Sequence, residues 1–396
     1  MKSLGVLVQF VLAVAGMAAH AGAAFAATPR ARAARARARN QNAGGTGSDG
    51  NDNIAAGGTV YQGVRPSGRL TEASAPEPWG SVSFRGTVSS RSRPFSRRTR
   101  IVTARRVRLT SPDRVLFPDD GITKGDLFSY YEAVAPVLVP HLRDRPFTMK
   151  RFREGAAGEG FFQKQAPKGM PDWIRTRRFR TYRREGGSRL VDFPLVDSPE
   201  ALLWMVQMHC IDMNAWYSRV DKPHRPDFVV FDLDPPDGGF ADAVRVAHLV
   251  REALEELELR SYAKTSGADG IHVLVPIARR STFEQTYELA ERVARSLEQR
   301  HPGLVTTEWL KRKRSGVLVD HRQNGWGKTI ASAYSVRPRP GAPVSTPLEW
   351  EELTEEVTPR QYGMREALER IERLGDLYEP VLQGKQTLGA ALRRLR

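Results

Sequence analysis

Phe228-Val229-Val230-Phe231-Asp232-Leu233-Asp234 is an apolar run that ends on two carboxylates and is cut off by Pro235-Pro236. The valines and phenylalanines favour a strand, and the prolines end it because proline cannot donate to a β-ladder. Residues two apart on a strand share a face, so Asp232 and Asp234 project together. Two like charges that close raise each other's pKa and are costly unless a cation sits between them. A lone Asp-x-Asp can equally cap a loop. Gly316-Val317-Leu318-Val319-Asp320 changes the balance, because it is another apolar strand ending in an acid that needs compensation. Carboxylates of this kind, with water and phosphate, form the ligand set of Mg²⁺ or Mn²⁺. Three of them can hold two metals between a nucleoside triphosphate and a 3′-hydroxyl.

Between the two strands lies Ser266-Gly267-Ala268-Asp269-Gly270-Ile271-His272. Its glycines permit a tight turn whose amides can face phosphate, and Ser266 and His272 are placed to reach triphosphate oxygens. The plain alternative is an ordinary turn before the strand Ile271–Pro276, with His272 a half-buried side chain. Arg337 is a candidate phosphate fork or a surface charge.

Outward from this centre, Gly125 to Leu138 reads as an amphipathic helix with Thr123 as N-cap. Helices are expected from about Phe240 to Leu257 and from Thr282 to Gln299. Ala333–Val336 reads as a further strand, and Gln361 to Arg396 as helical and basic. Helices interleave with strands joined by short steps, which predicts an α/β (α+β) fold with mixed β-sheets flanked by helices.

The 396 residues carry 61 Lys+Arg against 45 Asp+Glu, a net charge of +16. Residues 1–100 hold a net +10 of this, leaving +6 for the rest. The basicity points to a polyanionic partner, mainly through the amino-terminal arm. Residues 1–27 resemble a secretory leader, with an apolar run from Leu4 to Ala19 and a small-x-small site at Ala24-Phe25-Ala26. Residues 28–104 are Arg-, Gly- and Ser-rich and are expected to be a disordered basic arm or linker. The single cysteine, Cys210, excludes an intramolecular disulfide framework and any zinc site built on a cysteine cluster.

Asp232-Leu233-Asp234-Pro235, Ser266-Gly-x-x-Gly-x-His272, Asp320-x-x-Gln323-Asn324 and Tyr334-Ser335-x-Arg337 together resemble the polymerase domain of bacterial DNA ligase D, in the archaeo-eukaryotic primase superfamily. Upstream, Leu109 to Pro118, Gly121 to Asp126, Lys150-Arg151, Phe161 to Lys164 and Pro171-Asp172-Trp173 fit the same family. So do Pro347 to Leu353 and Gly375-Asp376 downstream. The resemblance covers residues 105–396 and implies an archaeo-eukaryotic primase-like catalytic core.

The resemblance implies that Asp232, Asp234 and Asp320 are the catalytic, metal-binding residues of a two-metal site for Mn²⁺ or Mg²⁺. Ser266, His272, Arg337 and Asn214 fall where the family contacts the nucleotide, Arg114 and Lys124 where it holds a DNA 5′-phosphate. Phe161 and Phe162 match an aromatic pair that stacks on DNA. At Asn214 the family often has histidine, and asparagine cannot carry charge. The implied activity is primer extension or gap filling, with ribonucleotides, in non-homologous end joining. The implied partners are DNA with ends or gaps, nucleoside triphosphates, a Ku-like end-binding protein and a separate ATP-dependent DNA ligase, with no membrane. No ligase segment follows within the chain, so a free-standing polymerase is expected. Its substrates place it in the cytoplasm at the nucleoid, against the leader-like segment. The alternatives are a catalytically weak DNA-end-binding module that recognises a 5′-phosphate, and a phosphohydrolase or glycosyltransferase built on Asp-x-Asp. Pro236 stands where a hydrolase of that type wants threonine.

Overall fold

The computed structural model describes residues 107–182 and 187–396; the expected leader and arm, and the start of the domain at residue 105, lie outside them. A small ribbon, β1 (Val115–Phe117) with β2 (Ile122–Thr123), leads into helix α1 (Lys124–Leu142). Thr123 caps that helix as expected: the Asp126 amide donates to its hydroxyl, and its own amide donates to the Asp126 carboxylate. Then come β3 (Phe147–Arg151), β4 (Phe161–Gln163), the hairpin β5 (Thr176–Tyr182) and β6 (Ser188–Pro194), α2 (Pro199–Gln207) and β7 (Cys210–Trp216). The second half runs β8 (Phe228–Asp234), α3 (Phe240–Glu256), β9 (Tyr262–Thr265), β10 (Ile271–Pro276) and α4 (Phe283–Arg300). It continues through β11 (Val305–Thr306), β12 (Val317–Asp320), β13 (Thr329–Ala331) and β14 (Pro347–Leu348) to the short helices α5 (Met364–Leu374), α6 (Glu379–Leu382) and α7 (Gly389–Arg394).

Two sheets organise these elements. Six strands run in the order β11-β12-β8-β10-β9-β14, antiparallel except for β11 beside β12, and four in the order β13-β7-β3-β4. The fold is thus α+β with mixed sheets, as expected.

Each sheet has one face committed to helices. On β8, Val229, Phe231 and Leu233 are fully buried against α3 and α4. Each such side chain contributes about 1.5–3 kcal/mol, and a one-residue slip would exchange them for the carboxylates. The apolar alternation therefore holds Asp232 and Asp234 on the opposite face. On the four-stranded sheet, Phe147, Met149, Ile211 and Met213 pack with α1 and α2 in the other core, leaving Lys150, Asp212 and Asn214 on the reverse side.

The expected strand at Ala333–Val336 is not formed. Tyr334 has φ +65 and the Ser335 amide donates to Ser332, so the segment turns. The strand lies earlier, at β13. Tyr334 turns there because both ends of its side of the turn are tied: its hydroxyl donates to Asp376 at 2.7 Å, and its carbonyl accepts from Tyr130.

Candidate active site

Strand pairing sets four side chains in a line across the large sheet. Asp320 on β12 stands opposite Asp232 on β8, Asp232 opposite His272 on β10, and His272 opposite Lys264 on β9. Asp234 lies two residues along on the same face. The three carboxylates all have raised pKa values. For Asp232 and Asp320 the first cause is burial; for Asp234, open to solvent at the strand end, it is the charge of Asp232. The Asp232 charge raises both Asp234 and Asp320, as like charges brought close together do. Among the described residues no three His, Cys, Asp or Glu side chains form a ready metal cage. The donors remain hard oxygens on one face, which suits a cation arriving with substrate phosphates more than one held by the protein alone.

His272 is held from both sides. The Lys264 ammonium donates to Nδ1 at 2.6 Å, and Nε2 lies 3.3 Å from the Asp232 carboxylate. With Nδ1 accepting, the ring hydrogen sits on Nε2 and points at Asp232. Burial first, then Lys264 and Arg337, holds His272 well below the usual imidazole range. Lys264 also donates to the Ala331 carbonyl at 2.9 Å and the Ser345 hydroxyl at 2.5 Å. Gln323 donates to Asp232 at 3.3 Å. Asn324 pairs with both backbone groups of Val230, at 2.9 and 2.7 Å, which pins β8 just before its first aspartate.

The turn after β9 is built by necessity. Gly267 has φ +68, and a Cβ there would come within 2.8 Å of the Ser345 nitrogen; at Gly270 it would come within 2.2 Å of the Leu233 carbonyl oxygen. Only glycine lets the loop lie against β8. The Ser266 hydroxyl accepts from the amides of Ala268 and Gly270 at 3.1 and 3.0 Å. These two amides therefore serve the loop itself, and are not turned outward as the phosphate-cradle expectation had them. Arg337 donates to the Ser266 carbonyl and lies 3.3 Å from Asp212, whose other oxygen is buried with no hydrogen-bond partner among the described residues. Lys150 approaches the same carboxylate at 3.8 Å. Asn214 lies two residues from Asp212 on the same face, its amide donating to the Asp212 carbonyl at 3.0 Å.

Phe161 and Phe162 are neighbours on β4 and so point to opposite faces. Phe162, 44% exposed, lies under Lys150, in a cross-strand line with Lys150 and Asp212. Phe161 lies under Arg151 and Arg153 on the other side. The pair does not form one stacking platform. Arg114 and Lys124 are neighbours in the fold: the Lys124 amide donates to the Arg114 carbonyl, and the Arg114 guanidinium donates to the Arg153 carbonyl. Lys124 is buried and donates to Thr110 and Gln207; burial first, then Arg114, lowers its pKa.

Sequence reasoning missed Lys264, Asp212 and His209. The lysine and aspartate sit inside apolar strands, where an ionisable residue needs a partner; that was the available signal. His209 carried none, since its meaning depends on a left-handed backbone at φ +63.

The family model for the LigD primase-polymerase domain matches residues 123–378. The multifunctional non-homologous end joining protein LigD of Mycolicibacterium smegmatis is 37% identical over 280 residues, 70% of this chain and 36% of that protein. The Pseudomonas aeruginosa protein of the same description is 31% identical over 85% of this chain and 39% of its own length. The chain thus spans well under half of these relatives. Among solved structures, the polymerase domain of Mycobacterium tuberculosis ligase D in complex with DNA superposes with a TM-score of 0.64 at 35% identity, covering 71% of this chain and 99% of that one. Carboxylate row, fold and these agreements lead to one conclusion: the chain belongs to the LigD primase-polymerase domain family.

Proposed function

We propose that this chain is a metal-dependent nucleotidyltransferase that extends primers and fills gaps in DNA, using ribonucleotides, during double-strand-break repair. The observation that carries this is the row Asp320–Asp232–His272–Lys264 with Asp234 beside it. Asp232, Asp234 and Asp320 would hold Mn²⁺ or Mg²⁺; the bound cation supplies positive charge for the 3′-oxygen and the triphosphate. His272 fixes the Asp232 carboxylate through Nε2, and Lys264 fixes His272. Arg337 and Lys150, both drawn to Asp212, would supply cations for the triphosphate, with Ser266 and Asn214 beside them. Asn214 contributes a neutral amide there.

Arg114 and Lys124 hold the 5′-phosphate of the downstream strand, and Phe162 offers the open ring for a base. A Ku-like end-binding protein and a separate ATP-dependent DNA ligase complete the repair. The substrates place the work in the cytoplasm, at the nucleoid; among the described residues no helix is long and apolar enough to cross a membrane.

The test is extension on a gapped duplex carrying a downstream 5′-phosphate, with Mn²⁺ or Mg²⁺ and ribo- or deoxynucleotides. Added nucleotides with at least one metal are expected. Tight DNA binding without extension under every combination would favour the end-binding module instead.

A further inference from the structure

His209 joins α2 to β7 in a left-handed backbone conformation, φ +63, that glycine adopts without strain and histidine does not. Its backbone is held at both ends: its amide donates to Val206 at 2.8 Å, and its carbonyl accepts from Phe152 at 2.9 Å. Strain kept at a fully tied position calls for a reason in the side chain. The imidazole is only partly buried, and Arg114 reaches it at 3.4 Å from Nε2.

The charged groups that act most strongly on the ring are cations. Arg114 comes from the lead-in to β1, Lys124 from the first turn of α1, Arg151 from the end of β3 and Arg153 from just beyond it. Burial first, then these four, pushes His209 down to about 4. The cations end largely on neutral groups: Lys124 on Thr110 and Gln207, Arg151 on Met208 and Gln163, Arg114 on the Arg153 carbonyl, Arg153 over the Phe161 ring. Such a cluster is arranged for an anion with several acceptor oxygens.

We infer that His209 is a further ligand of the terminal phosphate, closing the pocket of Arg114 and Lys124 and taking up a solvent proton as the phosphomonoester docks. This rests on the assignment of Arg114 and Lys124 to a DNA 5′-phosphate. The dianion reverses the local field, so the imidazole that refuses a proton in the free protein accepts one in the complex. Phosphate recognition then gains a third cation, and gains it more readily as pH falls. The phosphate's own second ionisation, near pH ~6, works the other way, so wild type must be compared with a variant on the same DNA.

Affinities of the full chain for gapped duplexes with and without the downstream 5′-phosphate are to be measured between about pH 6 and pH 8 at fixed salt, and their ratio taken as the phosphate preference. The wild-type preference, divided by that of His209→Gln, is expected to rise about fourfold from the upper to the lower pH, the rise that follows if the docked phosphate returns the imidazole from about 4 to its ordinary value of ~6.5. His209→Gly, in a conformation glycine favours, should fold at least as well and lose the same pH-dependent part. A wild-type preference matched at every pH by both variants, but lost in Arg114→Gln, would overturn this inference and leave the pocket standing. No preference at any pH, in any protein, would remove the Arg114–Lys124 assignment and this inference with it.

Discussion

Asp232 is the residue on which the site turns, and its surroundings explain why neighbours matter as much as the carboxylate. His272 and Gln323 both contact it, and Lys264 holds His272 in the orientation that points Nε2–H at it. Outer partners of this kind typically change metal affinity or activity by about 10–100-fold when removed. Lys264→Met keeps the buried stem and removes the ammonium; extension titrated with metal should need correspondingly more metal, with protein still folded by circular dichroism. An unchanged metal midpoint would mean that Lys264 serves packing alone. The aspartates were legible in the sequence because their strands are short, apolar and end in charge, and His272 because it opens an apolar strand straight after a glycine turn. Lys264 was not, because its function lies in a neighbour eight residues away that only sheet pairing brings opposite.

At the scale of elements, the large sheet could be read where short apolar runs are bounded by glycine, proline or charge, as in β8, β10 and β12, and helix α1 where Thr123 stands as N-cap. The reading failed at Ala333–Val336, whose apolar residues are buried by a turn, and it did not reveal that Phe161 and Phe162 face opposite sides of β4. Both features come from long-range packing: periodicity does not encode the Tyr334–Asp376 tie or the charges above and below β4. The glycine turn was recognised as a turn, and of its two open readings the ordinary turn fits the two amides that Ser266 takes up. Its fit against β8 gives a prediction. Gly270→Ala places a methyl group where the Leu233 carbonyl already lies, 2.2 Å from the ideal Cβ. Overpacking of this kind costs about 1–3 kcal/mol. A lowered thermal midpoint should accompany a larger loss of extension than of DNA binding, because Leu233 separates the two aspartates. A midpoint equal to wild type would show that β8 yields freely.

For the whole molecule, charge divides the work. The amino-terminal hundred residues carry +10 of the net +16, whereas the named cations of the body are placed beside particular groups. A version starting near Thr103 should keep template-dependent extension and lose DNA affinity mainly at low salt, with a shallower salt slope, because diffuse cations act through counterion release. Loss of extension would place part of the catalytic machinery in that arm.

We propose that Asp232, Asp234 and Asp320 act together on nucleotide addition. Single-turnover extension of a gapped duplex by Asp320→Asn, at saturating DNA and nucleotide, tests it most directly. Asparagine keeps the shape and the acceptor for the Arg322 amide but removes the charge. The account predicts a rate at least about a thousandfold below wild type, equivalent to ~4 kcal/mol of barrier, with 5′-phosphorylated DNA bound as tightly as before. Extension at near the wild-type rate would contradict it.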